Sequence, residues 1–69
     1  MLFSDALISL KEGHLVTRHA WDESKQYLTL MPEMEYIWVI QRIPNPSAGN
    51  WLPLLADLLA DDWKIKERV

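Results

Sequence analysis

The stretch Tyr36-Ile37-Trp38-Val39-Ile40-Gln41-Arg42-Ile43 constrains this chain most, because it is apolar on both sides that a strand presents. β-Branched and aromatic residues dominate it, and these favour a packed, pleated strand. Side chains alternate along a strand, so Tyr36, Trp38 and Ile40 face one way and Ile37, Val39 and Ile43 the other. Both faces then need cover. A chain of 69 residues has little to cover them with; a domain this small buries only about 60% of the surface its unfolded chain exposes. Disulfides, metals or association usually make up such a deficit. There is no cysteine, and two histidines, His14 and His19, are too few for a histidine-only metal site. Association is left. A hydrophobic content of 49% with four tryptophans suits it, and the expectation is a homo-oligomer in which a sibling copy closes over the sheet.

The remaining elements follow from periodicity. Phe3, Ala6, Leu7 and Leu10 fall at i, i+3, i+4 and i+7, which predicts a helix over 3–12. Asp5 suits its first turn, Lys11 its last, and Gly13 the residue after its end. His14 to His19 reads as a strand, with Val16 flanked by His14 and Arg18 on one face and Leu15 and Thr17 on the other. A turn over 20–25 leads to a second strand, Gln26–Met31, which Pro32 stops. Pro32-Glu33-Met34-Glu35 is a short connection, and the run from Pro44 to Asn50 reads as a loop by composition.

The closing segment runs from Trp51 to Trp63. Pro53 suits the first position of a short helix. Leu54, Leu55, Leu58 and Leu59 then share an apolar side, with Asp57 pointing away from it. Asp61 and Asp62 end the helix, because the macrodipole disfavours negative charge at a C-terminus. Trp63-Lys64-Ile65-Lys66 alternates as a final strand. The expected fold is a single α+β domain over 1–69. Its N-terminal helix packs on a small antiparallel β-sheet, and a short second helix precedes the C-terminal strand.

A formal net charge of −3 argues against a basic nucleic-acid-binding face. No apolar run approaches the roughly 18 residues of a membrane span, and the N-terminus carries no signal pattern, so neither membrane nor export is expected. A glycine-rich phosphate loop is absent, since Gly13 and Gly49 are the only glycines. No serine has a histidine beside it in a recognised nucleophilic pattern. An enzyme is not expected, and no cofactor is implied.

Three pieces of sequence point to a family: Lys11-Glu12-Gly13 closing the first helix, Val16-Thr17-Arg18-His19-Ala20-Trp21, and the closing Trp51–Trp63 segment. Together they resemble the small phage and prophage domain of the Thoeris anti-defence family, type two. The resemblance implies a homotetramer that binds a cyclic ADP-ribose isomer, the messenger of bacterial Thoeris immunity, in pockets where subunits meet. It further implies capture without cleavage, in the cytoplasm of the host bacterium, so that the Thoeris effector is not switched on. Some relatives also take up cyclic dinucleotides. A type II CRISPR inhibitor resembles the same domain, so a protein–protein inhibitor whose acidic surface engages a basic channel is the alternative. Leu54 stands where the family often has Ser or Thr, and the middle of the chain, between Met31 and Trp51, is shorter than in many relatives.

Such a ligand calls for an aromatic ring to stack on its base, donors for its phosphates and acceptors for its hydroxyls. Trp21, matching the family's motif tryptophan, is the stacking candidate, against core packing as the competing role. Arg18 is the phosphate candidate, against an ion pair with Asp61 or Asp62. Asp61 and Asp62 are candidate acceptors for ribose hydroxyls. Adjacent residues at a helix end face different ways, which argues against a catalytic pair. His14 and His19 could assist as donors, and Asn50 and Asn45 could contact the ligand from the proline-bearing loop, where turn chemistry also explains them. Trp38, Trp51 and Trp63 read as structural.

Overall fold

The computed structural model describes residues 1–21, 25–31, 33, 36–42 and 46–67. Seven elements run in the order α1 (Phe3–Lys11), β1 (Leu15–Arg18), β2 (Gln26–Met31), β3 (Tyr36–Gln41), β4 (Ser47–Asn50), α2 (Leu55–Leu59) and β5 (Trp63–Lys66). The strands form one antiparallel sheet ordered β4-β3-β2-β1-β5. The fold is α+β, with the expected helix, sheet and short second helix.

Helix α1 turns its predicted stripe inward. Ala6 and Leu10 are fully buried, and Phe3 packs against the same core. Its C-terminus closes through two backbone bonds, Gly13 N–H to the Leu10 carbonyl and His14 N–H to the Ser9 carbonyl, both at 3.0 Å. That closure requires a left-handed residue, and Gly13 supplies it with φ of +93°.

Register defines the two faces of the sheet. Val16 pairs with Leu28 and Ile65, Leu28 with Val39, and Val39 with Gly49, so these residues share a face. Both helices sit on this side. Ala6 and Leu10 cluster with Val16, Leu28 and Trp63, while Leu30, Ile37, Val39, Trp21 and Trp51 pack around them. The opposite face carries Tyr27, Thr29, Met31, Tyr36, Trp38 and Ile40, all half-buried, with Thr17 fully buried on the same side. The two-sided apolar pattern of β3 is therefore present as expected, and its residues are half-buried on both faces. Ile43 lies outside the described residues.

Two expectations are corrected. Residues 47–50 form an edge strand instead of a loop, pairing Trp38 with Asn50 and Gln41 with Ser47. Ser-Ala-Gly-Asn has poor strand propensity, and the pairing is supplied by β3, whose Ile37 carbonyl also accepts the Trp51 N–H at 2.8 Å. Helix α2 is the other case. Pro53 precedes its cap, Leu54, instead of occupying the first helical position. Its leucines face out, with Leu54 70%, Leu55 70%, Leu58 42% and Leu59 72% exposed, whereas Asp57 is buried at 7%. The cause is hydrogen bonding. Asp57 Oδ2 accepts the otherwise unpaired Leu54 N–H at 3.0 Å, its Oδ1 accepts from Arg18, and its carbonyl accepts from Trp63 Nε1 at 2.9 Å.

Candidate functional site

At the end of β1 the chain turns tightly, with the Trp21 N–H donating to the Arg18 carbonyl at 3.0 Å. Asp62, at the approach to β5, holds that turn. Its carbonyl accepts the His19 N–H at 2.9 Å, and its Oδ2 accepts the Ala20 N–H at 2.9 Å. Trp21 is thereby fixed, half-buried, beside the start of the last strand. Its ring meets Trp63 and Trp51 edge-on, at centroid separations of 5.2 and 6.5 Å and interplanar angles of 80° and 76°. Phe3 completes the group, 5.3 Å from Trp63 and 5.5 Å from Trp51. Edge-to-face contacts of this kind contribute about 0.5–1.5 kcal/mol each beyond the area they bury. Trp21 thus serves packing while part of its ring stays at the surface.

Arg18 lies beneath this cluster and bridges two carboxylates. Its Nε donates to Asp62 Oδ1 at 2.7 Å and its Nη1 to Asp57 Oδ1 at 2.9 Å. The hydrogen bond from Arg18, reinforced by the Ala20 N–H, holds the Asp62 carboxyl below its ordinary value. In return Asp62 first, and Asp57 with it, hold the guanidinium charged. One positive charge faces two negative ones, so the trio carries a net −1. Of the two ion pairs anticipated from sequence, with Asp61 or with Asp62, the one with Asp62 is present.

Asp57 was missed by sequence reasoning. It is the only charged residue between Trp51 and Ala60, and it stands three positions after the helix cap, where an acidic side chain reaches back to the cap N–H. That spacing was the available signal.

The other candidates separate. Asp61 is exposed beside half-buried Asp62, and its carbonyl accepts from the Met1 amine at 3.0 Å. His19 is exposed in the turn and His14 at the end of α1. Asn50 is exposed and opposite Trp38, which puts it across the sheet from Arg18. One protomer therefore brings Arg18, His19, Trp21, Asp61 and Asp62 to one end of the sheet and leaves Asn50 behind it. Asn45 lies outside the described residues.

The face bearing Trp38 has an organisation of its own. Tyr36 stacks on Trp38 at 6.2 Å and 14°, and Lys66 Nζ sits 5.0 Å from the centre of the Tyr27 ring. Trp38 Nε1 is buried and has no hydrogen-bond partner among the described residues. Among the described residues, no group of three or more His, Asp or Glu side chains is arranged to hold a metal ion, and no helix is long and apolar enough to cross a membrane.

Curated proteins give no match to this sequence. A family match, however, spans residues 1–66 and so takes in every element from α1 to β5, the Arg18 turn and the closing Trp51–Trp63 segment alike. The chain belongs to the Thoeris anti-defense 2-like domain family.

Proposed function

We propose that this protein counters Thoeris defence by capturing a cyclic ADP-ribose-type messenger without cleaving it. Membership of an anti-defense family carries the reading. The half-buried Trp21, braced edge-on by two tryptophans beside the Asp62 carboxylate, gives it chemistry. A braced ring is a stacking surface with little side-chain entropy left to lose, and stacking contributes roughly 1–3 kcal/mol per base. Asp62 and Asp61 are acceptors for ribose hydroxyls, and His19 is a donor at the rim. Capture of this kind depends on slow release, not turnover.

Assembly belongs to the same proposal. The half-buried aromatic sheet face around Tyr36 and Trp38 and the outward leucines of α2 are the surfaces through which sibling copies would join, as a homotetramer. In such an assembly Asn50 would reach a ligand seated against a neighbour's Trp21. The test is to mix the pure protein with the product of an active TIR enzyme and measure free messenger. The expected result is depletion that saturates at a fixed stoichiometry and is reversed by heating. Messenger that stays free, or returns as a cleaved product, would overturn the proposal.

The exposed leucines favour a second reading, a protein–protein inhibitor that docks through α2. It predicts that the messenger stays free while a purified defence protein is retained by this one, and that a Leu55→Ser/Leu59→Ser variant abolishes the retention.

A further inference from the structure

We infer that Arg18 is a positioning residue and that Asp57 sets the specificity of the neighbouring surface. Asp57 does so by cancelling the charge that Arg18 would otherwise offer to an anion. The inference rests on the proposed capture of a nucleotide messenger beside Trp21, and it deepens that reading by naming the part of the ligand that is recognised there.

Arginine is the residue best shaped to grip phosphate, and the sequence invites that role for Arg18. Here its guanidinium is spent within the chain, at 2.7 Å from Asp62 and 2.9 Å from Asp57. The three side chains are 17%, 10% and 27% exposed for Arg18, Asp57 and Asp62, so water screens their mutual field only in part. A phosphate arriving at Arg18 meets one positive charge and two negative ones. It is repelled.

The same geometry leaves acceptors in place. Each carboxylate oxygen has two lone pairs. Asp57 gives Oδ1 to Arg18 and Oδ2 to the Leu54 N–H, and is sealed in. Asp62 gives Oδ1 to Arg18 and Oδ2 to the Ala20 N–H, and remains the more open of the two. Its spare lone pairs sit one residue from the Trp21 turn. They suit neutral donors carried by a stacked base: an exocyclic amine or a vicinal ribose diol. The phosphates of such a ligand then lie away from Arg18.

Adenosine, AMP and inorganic phosphate separate the two kinds of recognition, read by tryptophan fluorescence and by the nitrogen-15-edited signal of the Arg18 Nε–H. In the unmodified protein, adenosine should bind at least as tightly as AMP, and phosphate should leave the Arg18 signal unmoved. Asp57→Asn removes one negative charge and keeps an oxygen for the Leu54 N–H. It should shift the AMP-to-adenosine affinity ratio toward AMP by about tenfold. A merely structural role for Asp57 would lower both affinities and leave their ratio alone. The inference is overturned if phosphate shifts the Arg18 signal saturably in the unmodified protein, if AMP binds it more than about tenfold tighter than adenosine, or if a folded Asp57→Asn protein keeps the original ratio. Should Asp57→Asn fail to fold, the phosphate titration of the unmodified protein decides the point. Failure of both adenosine and AMP to bind rejects the messenger reading, and the phosphate titration still judges Arg18.

Discussion

The two helices obey the same spacing rule and turn opposite ways. In α1 the stripe turns inward, with Ala6 and Leu10 in the core and Phe3 packed against it. In α2 an equally apolar set faces solvent, and the one carboxylate goes in. Spacing says which residues share a face; it does not say where that face points. For α1 nothing competes with hydrophobic burial, since its inward side is polar only at Ser9. For α2, turning Asp57 outward would strip Arg18 of one partner and the cap N–H of its acceptor, a loss of about 3–5 kcal/mol for a broken buried pair. Exposed leucines forgo about 1.5–3 kcal/mol each. The assembly proposed above would recover that cost by covering them.

Substitutions can break this contrast. Asp57→Ala should have the largest effect, about 3–5 kcal/mol in urea denaturation, since it leaves Arg18 half-paired and the Leu54 N–H bare. A loss under about 1 kcal/mol would show that α2 is not held by this residue. Leu10→Ala comes next at about 2–5 kcal/mol, the cost of a cavity under α1. Leu55→Ser with Leu59→Ser should change the stability of a dilute, solitary protomer by no more than about 0.5 kcal/mol. The same pair should lower the sedimentation coefficient at high concentration. Equal destabilisation at every concentration would mean that these leucines are covered within the chain.

The smallest effect concerns acid. Asp62 has its folded value lowered by the Arg18 hydrogen bond, so its contribution to stability is complete above the ordinary carboxylate value of 3.8. That contribution is lost as pH falls from there through the lowered value. The unmodified protein should lose stability over that acid window, and Asp62→Asn should flatten the slope. An unchanged slope would remove Asp62 as its source.

Much of the fold was legible. The α1 stripe and its Gly13 stop, the ends of β2 and the two sides of β3 are local patterns that tertiary contacts then respect. Strand β4 was not legible, because Ser47 to Asn50 carry turn-forming side chains and take their extended form from the β3 edge. The direction of α2 was hidden for a related reason: the partner that draws Asp57 inward is 39 positions away. At the candidate site, an ion pair of Arg18 with Asp61 or Asp62 could be anticipated from charge, and it forms with Asp62. That Asn50 falls behind the sheet could not, since its side is fixed only once β4 is paired.

The strand order has a kinetic consequence. β1 is flanked by β2, made just after it, and by β5, made more than forty residues later. A growing chain can zip β2, β3 and β4 into a meander through short-range hairpins while one flank of β1 stays bare. Closing that flank requires a distant loop to be drawn in, the slow kind of step for a small protein. Trp63, Asp57 and Asp62 all arrive with the late segment, so the ring cluster and the Arg18 bridge should be the last parts to gain protection in pulse-labelled hydrogen exchange. Protection of β1 ahead of the meander would reverse that order of events.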